Sequence, residues 1–278
     1  MKGIIIKLIS NDYTVLANQK KFVCKSRGKF RNQKISPLVG DHVIFDEENQ
    51  YILDVEPRKN SLVRPPISNI DQAVIITSAK DPDFSSHLLD KLITIIEFNN
   101  IEPIICFTKL DLLGKEQLEK IKIIMNYYRF IGYKVYQNDD IDNLSTVFKD
   151  KITVFTGQSG AGKSTLLNHL DNTLDLKTND ISYSLGRGKH TTRHVELLPI
   201  LNGWIADTPG FSKVDFYDMK KEDIRDQFIE FNEYRDECKY KDCMHIHEDQ
   251  CEIKNKVKEG IILSSRYENY INFIEKGW

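Results

Sequence analysis

Eight residues, Gly157-Gln158-Ser159-Gly160-Ala161-Gly162-Lys163-Ser164, match G-x-x-x-x-G-K-[ST], a pattern whose chemistry is phosphate binding. Its glycines let backbone N–H groups curl around phosphate oxygens, and a helix starting behind them adds favourable partial charge. Lys163 is expected at the β- and γ-phosphates and the Ser164 hydroxyl on Mg2+. Asp207-Thr208-Pro209-Gly210 supplies a D-x-x-G sequence, in which Asp207 would hold Mg2+ through water and the Gly210 N–H would sense the γ-phosphate. Between the two, Gly186-Arg187-Gly188-Lys189-His190-Thr191-Thr192-Arg193 has the character of a switch segment. Thr192 is favoured over Thr191 as the residue that completes the Mg2+ shell.

Thr108-Lys109-Leu110-Asp111 carries the chemistry of base selection. Guanine presents N1–H and an exocyclic amine side by side, and one carboxylate, Asp111, can accept both. Adenine would leave that carboxylate facing an acceptor, so discrimination reaches several kcal/mol, on the order of 3. Lys109 would pack along the base and the phosphate loop. The usual sequence is Asn-Lys-x-Asp; Thr108 departs from it, since a hydroxyl cannot replace both ends of an amide, and lower nucleotide affinity is expected. A second departure concerns hydrolysis. Ras-like enzymes orient the attacking water with a Gln just after D-x-x-G, and here that position is Phe211. His190 is the candidate catalytic residue in its place, with Arg187 and Arg193 able to neutralise developing charge.

Cys238-x4-Cys243-x-His245-x5-Cys251 offers three thiolates and an imidazole, the donor set of a closed, structural, tetrahedral Zn2+ site. His247 is a rival to His245. Cys24 and Cys106 fall inside apolar strand patterns and are expected to be small buried groups.

Elements must place these residues, and the periodicity suggests which. Across residues 1–66 the runs Ile4–Leu8, Tyr13–Ala17, Lys21–Cys24, His42–Asp46 and Ile52–Val55 predict five short strands, the number of a small OB-type barrel. Arg58 to Pro66 reads as a linker, because Pro-Pro cannot join a sheet interior. From Ile70 the rhythm changes to alternating strands and helices: strands at 72–77, 103–107, 133–136, 152–156 and 204–206, with helices around 88–96, 118–128 and after Lys163. That alternation predicts a doubly wound α/β domain. The tail from about Asp218 is charged and helical. The domains expected are therefore 1–66, 67–217 and 218–278.

Composition limits the setting. The 278 residues are 40% apolar with net charge −2, yet residues 1–66 carry 12 basic and 7 acidic side chains, leaving the remainder at −7. No acidic residue occurs from Tyr13 to Gly40, which holds Lys20, Lys21, Lys25, Arg27, Lys29, Arg31 and Lys34; a basic module joined to an acidic body is an asymmetry suited to an anionic partner. No run of about 18 apolar residues exists to span a membrane. The N-terminus is too soon charged for a signal peptide, and free cysteines clustered for metal suit a reducing cytoplasm. A monomer is expected, since no self-pairing element stands out.

Order is the distinctive property. Thr108–Asp111 precedes Gly157, whereas ordinary Ras-like GTPases carry the phosphate loop first, so the G domain is circularly permuted. With the barrel and the zinc spacing, the chain resembles, end to end, the bacterial ribosome-small-subunit-dependent GTPase family RsgA, also called YjeQ. The residues that carry the likeness are Gly157–Thr165, Gly186–Thr192, Asp207–Gly210, Thr108–Asp111 and Cys238/Cys243/His245/Cys251. The resemblance implies a permuted P-loop GTPase domain between an OB-fold and a helical zinc module. It also implies a GTP/GDP cycle, binding to ribosomal RNA late in small-subunit assembly, and hydrolysis stimulated by the subunit. A hydrophobic residue at the Phe211 position is shared. Val135-Tyr136-Gln137-Asn138 lacks the Ser-Ala expected of a base-contacting loop. On this reading Lys20, Lys21, Lys25, Arg27, Lys29 and Arg31 grip RNA phosphates, and the interleaved Phe22 and Phe30 stack on a splayed base. Two alternatives remain open at this point: an RNA-binding scaffold gated by nucleotide with negligible hydrolysis, and an ATP-dependent P-loop enzyme.

Overall fold

A computed structural model describes residues 1–28, 30, 36–62, 66–171, 195–207, 216 and 219–275. Alternating burial organises the first unit. In β1 (Lys2–Ile9), β2 (Asp12–Ala17), β3 (Lys20–Ser26), β4 (His42–Asp46) and β5 (Tyr51–Val55), residues such as Ile5, Val15, Cys24, Phe45 and Ile52 point inward and are fully buried. Asn18 and Gln19 join β2 to β3 with φ of 48° and 62°, the paired left-handed conformation that suits a tight hairpin. The strands pair in the order β1-β2-β3-β5-β4, and β4 returns to β1 antiparallel. The barrel is thus closed and leaves no free edge.

The stretch read as a linker is tied down. Arg58 bonds the fully buried Asp41 through Nε and Nη2, both at 2.7 Å, and β6 (Ser61–Leu62) pairs antiparallel with β7 (Ile67–Ser68) in a short ribbon. The Pro-Pro argument excludes a sheet interior but not the pairing of the short strands that flank it.

The second unit is built on β8 (Gln72–Ser78), buried at every position as an interior parallel strand must be. Parallel neighbours are β9 (Glu102–Thr108) and β11 (Ile152–Gly157), flanked by β10 (Lys134–Gln137) and β13 (Gly203–Asp207). Residues alternate between two cores. Ala73 and Ile75 of β8 face a cluster with α1 (Ser86–Phe98) and α2 (Lys115–Phe130), while Val74 and Ile76 pack with α3 (Ile141–Ser145) and α4 (Lys163–Leu170). Cys24 and Cys106 are wholly buried, as their strand patterns predict.

A further strand, β12 (Val195–Ile200), escaped the sequence reading. It pairs antiparallel with β13 and, through Lys7↔Glu196 and Leu8↔Val195, with β1 of the barrel. Lys7 Nζ donates to Glu196 at 2.5 Å across this seam. One eleven-stranded sheet therefore runs from the parallel strands into the barrel. The last unit contains α5 (Lys221–Asp226), two short 3-10 turns, α6 (Glu252–Lys258) and α7 (Ser264–Glu275), closed on Phe228, Phe231, Ile253, Tyr270 and Phe273. Among the described residues no helix is long and apolar enough to cross a membrane.

Candidate nucleotide site and metal centre

Strands β8, β9 and β11 end level with one another, with Ser78 opposite Thr108 and Ile76 opposite Gly157. The phosphate-loop sequence and the base-reading sequence thus emerge side by side at the carboxyl edge of a parallel sheet, where open α/β folds bind ligands. Gly157 begins the loop at φ 136°, and a Cβ there would stand 2.1 Å from the Ile76 carbonyl oxygen, so no side chain fits. Gly162, at φ 94°, caps α4. Gly160 also has positive φ, while Gln158, Ser159 and Ala161 complete the turn. Lys163 and Ser164 open α4, Ser164 buried and Thr165 on its exposed side.

Thr108 answers the question its departure raised. Its Oγ1 donates to the Ala161 carbonyl at 2.6 Å, and the residue is only 3% exposed. A hydroxyl therefore makes one bond from the base-reading strand to the phosphate loop. Lys109, in a left-handed backbone conformation at φ 59°, makes the second: its Nζ donates to Gly160 O at 2.8 Å and also to Asp81 O. Asp111 lies exposed in the short 3-10 turn Leu110–Leu112. Asp207 ends β13, which runs parallel beside β11. Gly210, Phe211, His190, Thr191, Thr192, Arg187 and Arg193 lie outside the described residues.

One wall of this site was missed. Residues 79–84 connect β8 to α1, and Pro82 Cδ lies 3.8 Å from where a Gly160 Cβ would stand. Ser78 Oγ donates to Lys80 O and Lys80 Nζ to Leu112 O, and with the bond from Lys109 to Asp81 O these fasten the loop beside the base-reading segment. Its position after an interior parallel strand was the available signal.

The four metal-ligating candidates converge. One donor atom from each of Cys238, Cys243, His245 and Cys251 lies within 4.8 Å of every other. His245 Nδ1 is 3.6 Å from Cys238 Sγ and 3.4 Å from Cys251 Sγ, and the two sulfurs are 4.0 Å apart. Tetrahedral ligands at about 2.3 Å (sulfur) and about 2.0 Å (nitrogen) from an ion stand roughly 3.5–3.8 Å apart, so the set could hold a metal ion. Burial pushes the Cys243 thiol up to about 12 and draws His245 down to about 4. A neutral imidazole beside the Cys243 and Cys251 thiols, both raised by burial, is a donor set that a cation would complete. The Glu252 N–H donates to Cys238 Sγ at 3.3 Å. Tyr267 and Tyr270 of α7 donate to the carbonyls of His245 and Met244 at 2.6 and 2.5 Å, which shapes the ligand loop. His247 stands outside, its side chain 86% exposed beside Glu275.

On the barrel, Lys20, Lys21, Lys25 and Arg27 are exposed along β3 and just beyond it; Lys29 and Arg31 lie outside the described residues. The aromatic reading needs correction. Phe30 is buried, and the half-buried Phe22 packs with its ring 5.1 Å from that of Phe45, so both pack on the barrel core rather than standing free for stacking. The exposed ring is Tyr51, 40% accessible, with the Arg27 guanidinium 5.8 Å from its centroid.

Comparison with known proteins decides the family. Residues 55–217 match the model of the RsgA GTPase and residues 2–52 that of the RsgA N-terminal domain. The chain belongs to the RsgA GTPase family. A small ribosomal subunit biogenesis GTPase RsgA 2 from Oceanobacillus iheyensis is 50% identical, covering 99% of this chain and 97% of the relative. The RsgA of Enterococcus faecalis is 47% identical over 99% and 94%. Among solved structures, that of YloQ, described as a circularly permuted GTPase, superposes with a TM-score of 0.85 at 38% identity, covering 99% of this chain and 94% of that one. YjeQ from Thermotoga maritima gives 0.84 at 31%, over 99% and 97%. This RsgA-family chain is a circularly permuted GTPase: its base-reading strand β9 precedes its phosphate-loop strand β11, and the two lie on either side of β8.

Proposed function

We propose that the protein is a GTPase of small-ribosomal-subunit assembly, a soluble cytoplasmic factor that binds ribosomal RNA, hydrolyses GTP to GDP and phosphate when seated on the subunit, and then leaves it. The observation that carries the nucleotide reading is the pair of bonds from Thr108 and Lys109 to the phosphate loop, which joins a base-reading segment and a phosphate cradle into one site. The naming of the relatives as small ribosomal subunit biogenesis GTPases supports the ribosomal partner.

In this reading the backbone of 157–162 and Lys163 bind the phosphates, and Asp111 accepts from guanine. Ser164 opens α4 and Asp207 ends the strand beside the phosphate loop, a placement suited to holding Mg2+ together with Thr192. When bound, Mg2+ neutralises charge on the β- and γ-phosphates. Gly210 senses the γ-phosphate, and His190 orients or activates the attacking water. Cys238, Cys243, His245 and Cys251 hold one structural Zn2+. Residues 1–66 and 218–278 serve as RNA-contacting modules on either side of the catalytic 67–217, with Lys20, Lys21, Lys25, Arg27, Lys29 and Arg31 on phosphates. The protein acts as a monomer.

Steady-state GTP hydrolysis, alone and with purified small subunits, with ATP as control nucleotide, tests the proposal. Strong stimulation by the subunit and indifference to ATP are expected. Turnover equal with and without subunits would refute the ribosomal part, and equal turnover of ATP would refute the base selection.

A further inference from the structure

A buried ionic cluster joins the metal-bearing unit to the GTPase unit. Arg266 of α7 and Asp90 of α1 are both completely buried. The Arg266 guanidinium donates from Nη1 to Asp90 Oδ1 at 2.6 Å, and from Nε and Nη2 to the two oxygens of Glu230 at 2.6 and 3.1 Å. It also lies 4.7 Å from the Phe228 ring centroid. Tyr128 of α2 donates to the same Asp90 oxygen at 2.6 Å. Asn269, one turn along α7, donates to Asp90 Oδ2 at 2.7 Å and to Ser86 Oγ at 3.3 Å. Burial alone would lower the pKa of Arg266; the facing Glu230 and Asp90 outweigh it and hold it well above the ordinary arginine value.

Such a cluster is a poor way to glue helices, since well-packed apolar side chains of similar volume often hold a core as well or better. What it supplies is direction. Each hydrogen bond fixes the rotation and height of α1 against α7, and α1 begins just after loop 79–84, which borders the candidate nucleotide site. Ser86 follows Ser85, whose Oγ caps the helix by accepting from Leu88 N at 3.2 Å. Loop 79–84 leads directly into that cap, and at its other end Lys109 holds Asp81 O and Gly160 O together. His87, on the same turn, packs edge-on against Phe273 of α7 at 4.9 Å. Tyr267 and Tyr270 of the same helix hold the metal-ligand loop. One helix therefore touches both sites' supports.

On the strength of the nucleotide site assigned above, we propose that Arg266, Asp90 and Asn269 are positioning residues for that site. They set α1, and through loop 79–84 the phosphate loop and Lys109, against the C-terminal metal-bearing unit, so that the state of one unit changes nucleotide affinity in the other. By linkage the effect is reciprocal: whatever loosens α7 weakens nucleotide binding, and bound nucleotide stiffens the seat of α7.

The test uses the full chain, titrated with a fluorescent GDP analogue, with metal content and melting temperature measured on the same samples. Arg266→Met strands two buried carboxylates and threatens the fold, so Asn269→Ala and Arg266→Lys carry the experiment. Asn269→Ala removes the bonds to Ser86 and Asp90 and leaves every charge paired; Arg266→Lys keeps the charge and loses the fork. Both are expected to fold, to retain metal, and to weaken GDP binding roughly 5-fold or more, the range of an ordinary coupling between sites. Lys109→Met is the second arm. Because Lys109 carries the link from loop 79–84 to the phosphate loop, Asn269→Ala added to Lys109→Met should cost much less affinity than Asn269→Ala alone. Variants that melt earlier but bind GDP within about two-fold of the parent, or effects that simply add to that of Lys109→Met, overturn the proposal. Failure of the parent chain itself to bind GDP would instead overturn the nucleotide-site assignment, so the two failures are distinguishable.

Discussion

Replacing Thr108 by Val tests whether the hydroxyl does the work of the usual amide. The two side chains are nearly equal in shape, and the site is 3% exposed, so no cavity and no clash accompany the change. What is lost is the 2.6 Å bond to the Ala161 carbonyl. Leaving a buried acceptor without that donor costs about 1–3 kcal/mol. The bond also joins the base-reading strand to the phosphate loop, which a guanine nucleotide must span, so part of the loss falls on affinity as well as on stability. A chain of this size should melt roughly 2–4 °C lower per kcal/mol. Its affinity for GDP should fall about 5- to 10-fold, since about 1 kcal/mol is a factor of about 5. Thr108→Ser, which keeps the hydroxyl, should recover most of both. Calorimetric titration with GDP and a thermal melt of the three proteins make the measurement. If Thr108→Val binds GDP within about two-fold of the parent and melts within about 1 °C, the hydroxyl link is idle.

Three other outcomes follow from the same physical reading. Lys163→Ala should abolish GDP binding, whereas His190→Ala should bind GDP normally and lose most subunit-stimulated turnover; unchanged stimulated kcat would remove His190 from the mechanism. Purified protein should carry one metal ion per chain by elemental analysis, and Cys243→Ser should carry less than half as much and melt earlier; equal metal content would exclude the four-ligand set. Glu97, on α1, has its pKa raised to about 7, first by burial and further by Glu230, with Tyr133 and Arg266 opposing. Its folded value exceeds its unfolded one, so the stability it supports is present at acid pH and is lost as pH rises from about 4.5 to about 7, by no more than about 1.4 kcal/mol per unit. Glu97→Gln should therefore be more stable than the parent at pH 7.5 and similar to it at pH 4.5; parallel denaturation profiles at both pH values would refute the assignment.

The motifs were legible because their chemistry is local. Gly157–Ser164 must be a turn between a strand and a helix, and the Cys-x4-Cys-x-His-x5-Cys spacing keeps four donors on one short segment, so each announces itself in sequence. The five barrel strands and the core of β8 were legible for a similar reason, since alternation and continuous burial are periodic signals. What sequence could not supply were pairings between distant residues. Phe22 and Phe30 sit among lysines in the sequence, yet Phe30 is buried and Phe22 packs on Phe45 at the edge of the barrel core. Arg266 lies in the tail whose sequence says only that it is charged and helical. Only the fold brings it to Glu230 and Asp90, 36 and 176 residues away along the chain, and without those partners its burial would be prohibitive.

The seam between β1 and β12 is the strongest case of such a pairing, and permutation explains why it matters. Moving the base-reading half to the front leaves β12 beginning at Val195, just after the segment Gly186–Arg193. Val195 and Glu196, its first two residues, are the ones matched with Leu8 and Lys7 of the barrel. An antiparallel register is set in steps of two residues, and slipping by one would turn the inward face of β1 outward. Ile5, wholly buried in the barrel, makes that slip costly, so the register between barrel and β12 is fixed. The barrel is therefore hydrogen-bonded to the strand that follows the Gly186–Arg193 sequence, while α7 grips the helix that follows loop 79–84. In this chain each flanking unit holds the GTPase unit by a contact that a shift of the central elements would have to break.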